Sequence, residues 1–147
     1  MKGGTAINLF VRDMPRLSVD VDLAFTRLDL ARAEALQAIA TGLIEIAAAL
    51  ERQGLRARAS GPGNSPERKL YISGDSARGS GPTVTVEVNT VLRGTVLPTE
   101  IRELAKVAQD QFGQYVAAPV LAAAELYGGK LVAVLDRQHP RDLFDGL

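Results

Sequence analysis

The chain has 147 residues, 46% of them apolar and 23% charged, and its 17 basic and 17 acidic side chains cancel. That suffices for one domain with a real core, and the zero net charge leaves any nucleic-acid contact to a local patch rather than a global field. With no cysteine and a single histidine, His139, disulfides, thiolate metal sites and multi-histidine zinc centres are excluded.

Taken in order, residues 5–12 read as a short helix and Asp13-Met14-Pro15-Arg16 as a turn, since Pro15 disfavours helix at Met14. In 17–25 the apolar Leu17, Val19, Val21 and Leu23 alternate with Ser18, Asp20 and Asp22. This is the period of a strand with one apolar face. Residues 26–54 read as a long helix, with Leu36, Ile39, Ala40, Leu43, Ile46, Ala47 and Leu50 at helical spacing, Thr26 or Asp29 as cap, and Gly54 just past the end. Strands are expected over 55–59, 68–73 and 83–89, with turn-rich connections at 60–66 and 74–82. Residues 91–98 read as loop and 99–112 as a helix. A second helix spans 120–137, with Pro119 at its entry. Gly128-Gly129 inside it suggests close approach of a backbone or ligand. Another helix begins at Arg141-Asp142-Leu143-Phe144-Asp145. The expected class is α/β (α+β), a small mixed sheet backed by helices with an open face carrying acids. It forms a single domain over 1–147, with a core at 1–92 and a helical part at 99–147. No secretory leader and no apolar run of about 18 residues is evident, so the expected setting is cytoplasmic, without membrane contact.

Two constellations carry chemistry. On the expected strand, Asp20 and Asp22 point to the same side, roughly 7 Å apart along it. Two such carboxylates suit water or a hard divalent ion such as Mg²⁺, which takes oxygen ligands and leaves room for phosphates. Just upstream, Gly3-Gly4-Thr5 offers backbone N–H groups to an anion at a helix start. Either motif is compatible with a plain structural turn or a solvated face. Their order and spacing together form the skeleton of a nucleoside-triphosphate site. Glu87 alternates against Val84, Val86 and Val88, so it lies on the polar face of its strand. It becomes a third carboxylate if that strand neighbours Asp20 and Asp22, and an ordinary solvent-facing residue otherwise. Lys130 and Arg137 are seven apart on one helix face.

Gly-Gly-Thr followed by Arg-x-Ser-x-Asp-x-Asp resembles the signature of the DNA polymerase β-like nucleotidyltransferases, and more narrowly that of the AbiEii/AbiGii toxins. Glu125-Leu126-Tyr127-Gly128-Gly129-Lys130 with Arg137 and Arg141-Asp142-Leu143-Phe144-Asp145 resembles the late motif of the same group. The resemblance spans Lys2 to Asp145. It implies a metal-dependent nucleotidyltransferase, the toxin of a toxin–antitoxin or abortive-infection system, using an NTP and Mg²⁺ (or Mn²⁺). By resemblance, Asp20, Asp22 and Glu87 hold metal and Gly3, Gly4, Thr5 and Ser18 hold phosphates. Lys130 binds the triphosphate, helped by Arg137, and Asp142 completes the site, with Asp145 competing for that role. The implied acceptor is a tRNA 3′ end or a protein, and the implied partner an antitoxin. Upstream and downstream elements usual in the group are missing, so a short or truncated member is expected, with homo-oligomerisation as one way to complete it. A catalytically silent nucleotide-binding module and a phosphoesterase are the competing readings.

Overall fold

The computed structural model describes residues 1–60, 68–74, 82–137, 140 and 144. It has a mixed α/β fold whose chain divides into two compact units, one built from 1–22 and 95–147, the other from 23–94.

The first unit begins with α1 (Gly3–Ala6), which widens at once into a π-turn over Ile7–Val11. The expected helix over 5–12 thus begins two residues earlier, ends one residue earlier and is irregular. The cause is local: the Asn8 side-chain amide donates to Gly4 O at 2.8 Å, competing with the backbone for that carbonyl. Arg12 N and Met14 N then reach Ile7 O and Asn8 O at 2.8 and 2.9 Å. Ala6, Ile7 and Phe10 are buried with Leu104, Ala108, Val120 and Leu126. Ile7, with no exposure at all, contributes roughly 1.5–3 kcal/mol by that burial.

The expected strand over 17–25 is laddered only as β1 (Val21–Ala24). Leu17 and Val19 are 59% and 50% exposed, so their alternation does not mark a buried face.

The helix expected over 99–112 is replaced by β5 (Glu100–Glu103) and α3 (Lys106–Phe112). The region thought to lead into the next helix forms β6 (Ala117–Val120), antiparallel to β5 with Glu100 opposite Val120 and Ile101 opposite Pro119. Long-range bonds override the local helical pattern. Leu104 N donates to Val116 O at 2.8 Å, Ala105 N donates to Leu9 O at 2.7 Å, and Asp13 Oδ1 accepts from Val107 N at 2.9 Å, capping α3 from 94 residues away. Pro119 therefore sits in a two-stranded sheet, where every strand is an edge and proline is tolerated, and not at a helix start. Gly113 closes α3 in the left-handed region, φ +61°. The final helix, α4 (Ala123–Arg137), packs on α1 and the π-turn. Glu125 in its first turn accepts from Val96 N at 2.7 Å and Leu97 N at 3.3 Å, fixing the loop before β5. Gly128 and Gly129 have open space where a Cβ would lie, so the close approach suggested by the pair is not found among the described residues.

The second unit holds α2 (Arg32–Glu51), β2 (Arg56–Ala59), β3 (Lys69–Ser73) and β4 (Thr83–Asn89). Strand order in its sheet is β1-β4-β3-β2, with β2–β3 and β3–β4 antiparallel. α2 starts later than 26 because Arg27 and Asp29 pair with each other at 2.5 Å. That hydrogen bond holds the Asp29 carboxyl below its ordinary range. Ala31 is the cap position, and Glu34 reaches back to accept its N–H at 3.0 Å. The helix packs on β2 and β3, burying Ala35, Ile39 and Leu43, whereas Ile46, expected in the stripe, is exposed. By length and composition, with a mean hydropathy of 1.4, α2 passes for a membrane span. Its Ile39 face is already used against the sheet.

Candidate active site

Four contacts within the first unit tie the Gly3–Thr5 turn to the aspartate segment. Lys2 N donates to Asp22 O at 2.9 Å, forming an isolated antiparallel bridge. Gly3 has φ +75°, a conformation that strains any residue with a Cβ. A Cβ there would lie 2.0 Å from Asp22 Oδ2 and 2.8 Å from its Cγ, so the Asp22 carboxyl rests directly against the Gly3 backbone. Thr5, 3% exposed, shares a hydrogen bond with Ser18 Oγ at 2.8 Å. Its hydroxyl also donates to Asp20 O.

These bonds bring Gly3, Gly4, Thr5, Ser18, Asp20 and Asp22 together. Residues 13 to 20 positions apart in the chain become one small structure. Asp20 is exposed and Asp22 half-buried. Because α1 has only four residues, any attraction for an anion there rests on the N–H groups of its first turn, which lack intrahelical partners, and not on a long helix dipole. The two carboxylates fit the donor chemistry of Mg²⁺, which takes one or two of them and fills its shell with water and phosphate oxygens.

The other expected site residues are placed as follows. Lys130 is half-buried on α4, the helix that packs on α1, and Arg137 is its last residue. Glu87 belongs to the second unit. It is exposed on β4 opposite Lys69 of β3, with its carboxylate 3.5 Å from the Lys69 ammonium. Asp142 and Asp145 lie outside the described residues. Among the described residues, no group of three or more acidic or histidine side chains is disposed to hold a metal ion. Sequence reasoning missed Asn8, Asp13 and Glu125. Each has a polar side chain that organises backbone, and only Asn8, a polar residue inside an apolar run, carries a local signal of its role.

A family model described as nucleotidyl transferase AbiEii toxin of type IV toxin–antitoxin systems matches residues 1–146. The chain belongs to the AbiEii family. Its fold is similar to that of MenT4, a nucleotidyltransferase toxin from Mycobacterium tuberculosis, at a TM-score of 0.67 and 21% sequence identity. The match covers 98% of this chain and 47% of that one, so this AbiEii-family chain spans about half the length of its structural neighbour. No curated protein sequence matches it. Family and fold agree with the resemblance carried by the Gly-Gly-Thr and Asp-x-Asp motifs.

Proposed function

We propose that the chain is a nucleotidyltransferase that moves a nucleoside monophosphate from an NTP to a hydroxyl acceptor, as the toxin of a type IV toxin–antitoxin pair. The observation that carries this is the pinning of the Gly3–Thr5 turn to the Asp20–Asp22 segment. It supplies anion-binding N–H groups and oxygen donors at one place.

The acceptor oxygen attacks the α-phosphorus, a new P–O bond forms, and the bond to the β-phosphate oxygen breaks, releasing pyrophosphate. The N–H groups of Gly3, Gly4 and Thr5 hold the β- and γ-phosphates. Ser18, whose single hydroxyl proton goes to Thr5 because Thr5 donates its own to Asp20 O, binds a phosphate oxygen by turning that proton from Thr5 to the phosphate. Lys130 adds a point charge to the triphosphate, supported by Arg137. Asp20 and Asp22 would hold a divalent ion, Mg²⁺ or Mn²⁺; Glu87, on the second unit and paired with Lys69, is not grouped with them among the described residues. When bound, that ion neutralises charge on the α-phosphate and polarises it. One of the two carboxylates, Asp20 or Asp22, takes the acceptor's proton. Asp142, or Asp145 in its place, completes the site. Thr5 contributes through its N–H, because its side chain is occupied in holding Asp20 and Ser18.

The acceptor is the 3′ end of a transfer RNA or a protein hydroxyl, the setting is the cytoplasm, and a cognate antitoxin restrains the activity. One observation favours a second reading, a catalytically silent nucleotide-binding module of the same fold. It is the lack of a three-carboxylate cluster among the described residues. Incubation with Mg²⁺, each α-labelled NTP, transfer RNA and cell protein separates the two. Label in RNA or protein supports the transferase. Nucleotide binding without any transfer supports the silent module.

A further inference from the structure

The sheet of the second unit has two unlike faces. Directly paired residues on neighbouring strands share a face, and the register therefore sorts the side chains. Ala59, Leu70 and Val86 align on one side, as do Ala57, Ile72 and Val84. Leu70 and Val86 are buried, and α2 packs on β2 and β3 of this sheet. On the other side Arg58, Tyr71 and Thr85 form one cross-strand row and Lys69 pairs with Glu87, while Arg56 stands two residues from Arg58. Arg56 and Arg58 are exposed, and Tyr71 is 36% exposed.

On a chain with no net charge, that face gathers three cations around one tyrosine, with Glu87 as the acid of those rows. Successive same-face residues of a strand are about 7 Å apart, a repeat of the same order as phosphates along an extended polynucleotide. Arginines that track a backbone beside an aromatic ring on which an unpaired base stacks are the means by which proteins hold single strands. A duplex hides its base faces and leaves Tyr71 without a partner. An acidic peptide pairs with the arginines but makes no use of the ring.

We infer that the outer face of this sheet, through Arg56, Arg58 and Tyr71, binds single-stranded RNA. The arginines hold consecutive phosphates and Tyr71 stacks on a base. As a surface for an RNA acceptor, the face rests on the transferase reading above. As a binding surface it stands without it.

The test uses the full chain and fluorescence anisotropy with a 3′-labelled 12-nucleotide RNA, in the absence of nucleotide and divalent ion. The wild type binds the single strand at least tenfold more tightly than the same sequence as a duplex. Arg56→Ala/Arg58→Ala weakens binding tenfold or more and lowers the slope of log affinity against log salt by about one to two. Tyr71→Leu weakens it about fivefold or more. Arg102→Ala, which removes a cation from the first unit where it pairs with Glu100, leaves binding within twofold. Asp20→Ala protein binds as the wild type does, so loss of transfer chemistry and loss of RNA binding are separate results. Equal or tighter binding of duplex RNA or of single-stranded DNA overturns the inference. So does RNA affinity that the Arg56/Arg58 and Tyr71 variants leave unchanged while their thermal melts match the wild type.

Discussion

Replacing Gly3 by alanine tests whether the glycine exists to seat the Asp22 carboxyl. The new Cβ would stand 2.0 Å from Asp22 Oδ2, a full ångström inside the 3.0 Å that such carbons essentially never cross. Either the carboxyl or the turn must therefore shift by about 1 Å. The left-handed backbone at Gly3, φ +75°, adds about 1–2 kcal/mol of strain for a residue with a Cβ. For a chain of this size that lowers the melting temperature by roughly 3–8 °C. A misplacement of about 1 Å in a positioned group costs on the order of 10²-fold in rate. Gly3→Ala is thus expected to reduce nucleotide transfer about a hundredfold, measured as initial rates with saturating labelled NTP beside a thermal melt. Gly42→Ala is the control. It lies within α2 with nothing within 4 Å of its Cβ position, and it should stabilise by about 0.5–1 kcal/mol without touching the rate. Wild-type transfer by Gly3→Ala would show that the Asp22 carboxyl does not need the position it occupies.

Thr5→Val removes a buried hydroxyl that holds Asp20 O and Ser18. It should cost about 1–3 kcal/mol of stability and lower kcat with little change in nucleotide KM, while Thr5→Ser restores both. If the side chain were instead a phosphate ligand, KM would rise and the melt would stay put. Glu125→Ala releases the Val96 and Leu97 N–H groups. Denaturant unfolding should show a loss of about 1–2 kcal/mol, and faster hydrogen exchange at those two amides should accompany it. Gly128→Ala, with open space at its Cβ position, should stabilise α4 by about 1 kcal/mol, read as a higher denaturation midpoint.

What the sequence made legible was what local pattern controls. Strand β4 has the bounds that the Val84, Val86 and Val88 alternation implies, and α2 follows its Ile39 and Leu43 spacing because both elements bury one face. The association of Gly3-Gly4-Thr5 with Asp20 and Asp22 was legible from motif order. The means of association was not, since a glycine read as an anion cradle and a threonine read as a phosphate ligand give no sign of contacts to Asp22 and Asp20. Residues 99–120 misled for a different reason. Helical spacing there is real, but Asp13, Leu9 and Val116 supply partners from far along the chain, and non-local bonds outweigh a weak helical preference. The alternation at Leu17 and Val19 failed because the segment is tethered by the Thr5 hydroxyl, and not by a neighbouring strand that would have covered those side chains.

The most direct measurement follows one NTP labelled separately at the α- and γ-phosphates, with Mg²⁺, for the wild type and for Asp20→Ala. A nucleotidyltransferase places α-label in a macromolecular acceptor, releases γ-label as pyrophosphate in equal amount, and loses both in Asp20→Ala. Release of γ-label as inorganic phosphate with no α-label transferred would show a phosphoesterase. Nucleotide bound but unchanged would show a silent module. Either result would contradict the proposal that these aspartates serve nucleotidyl transfer.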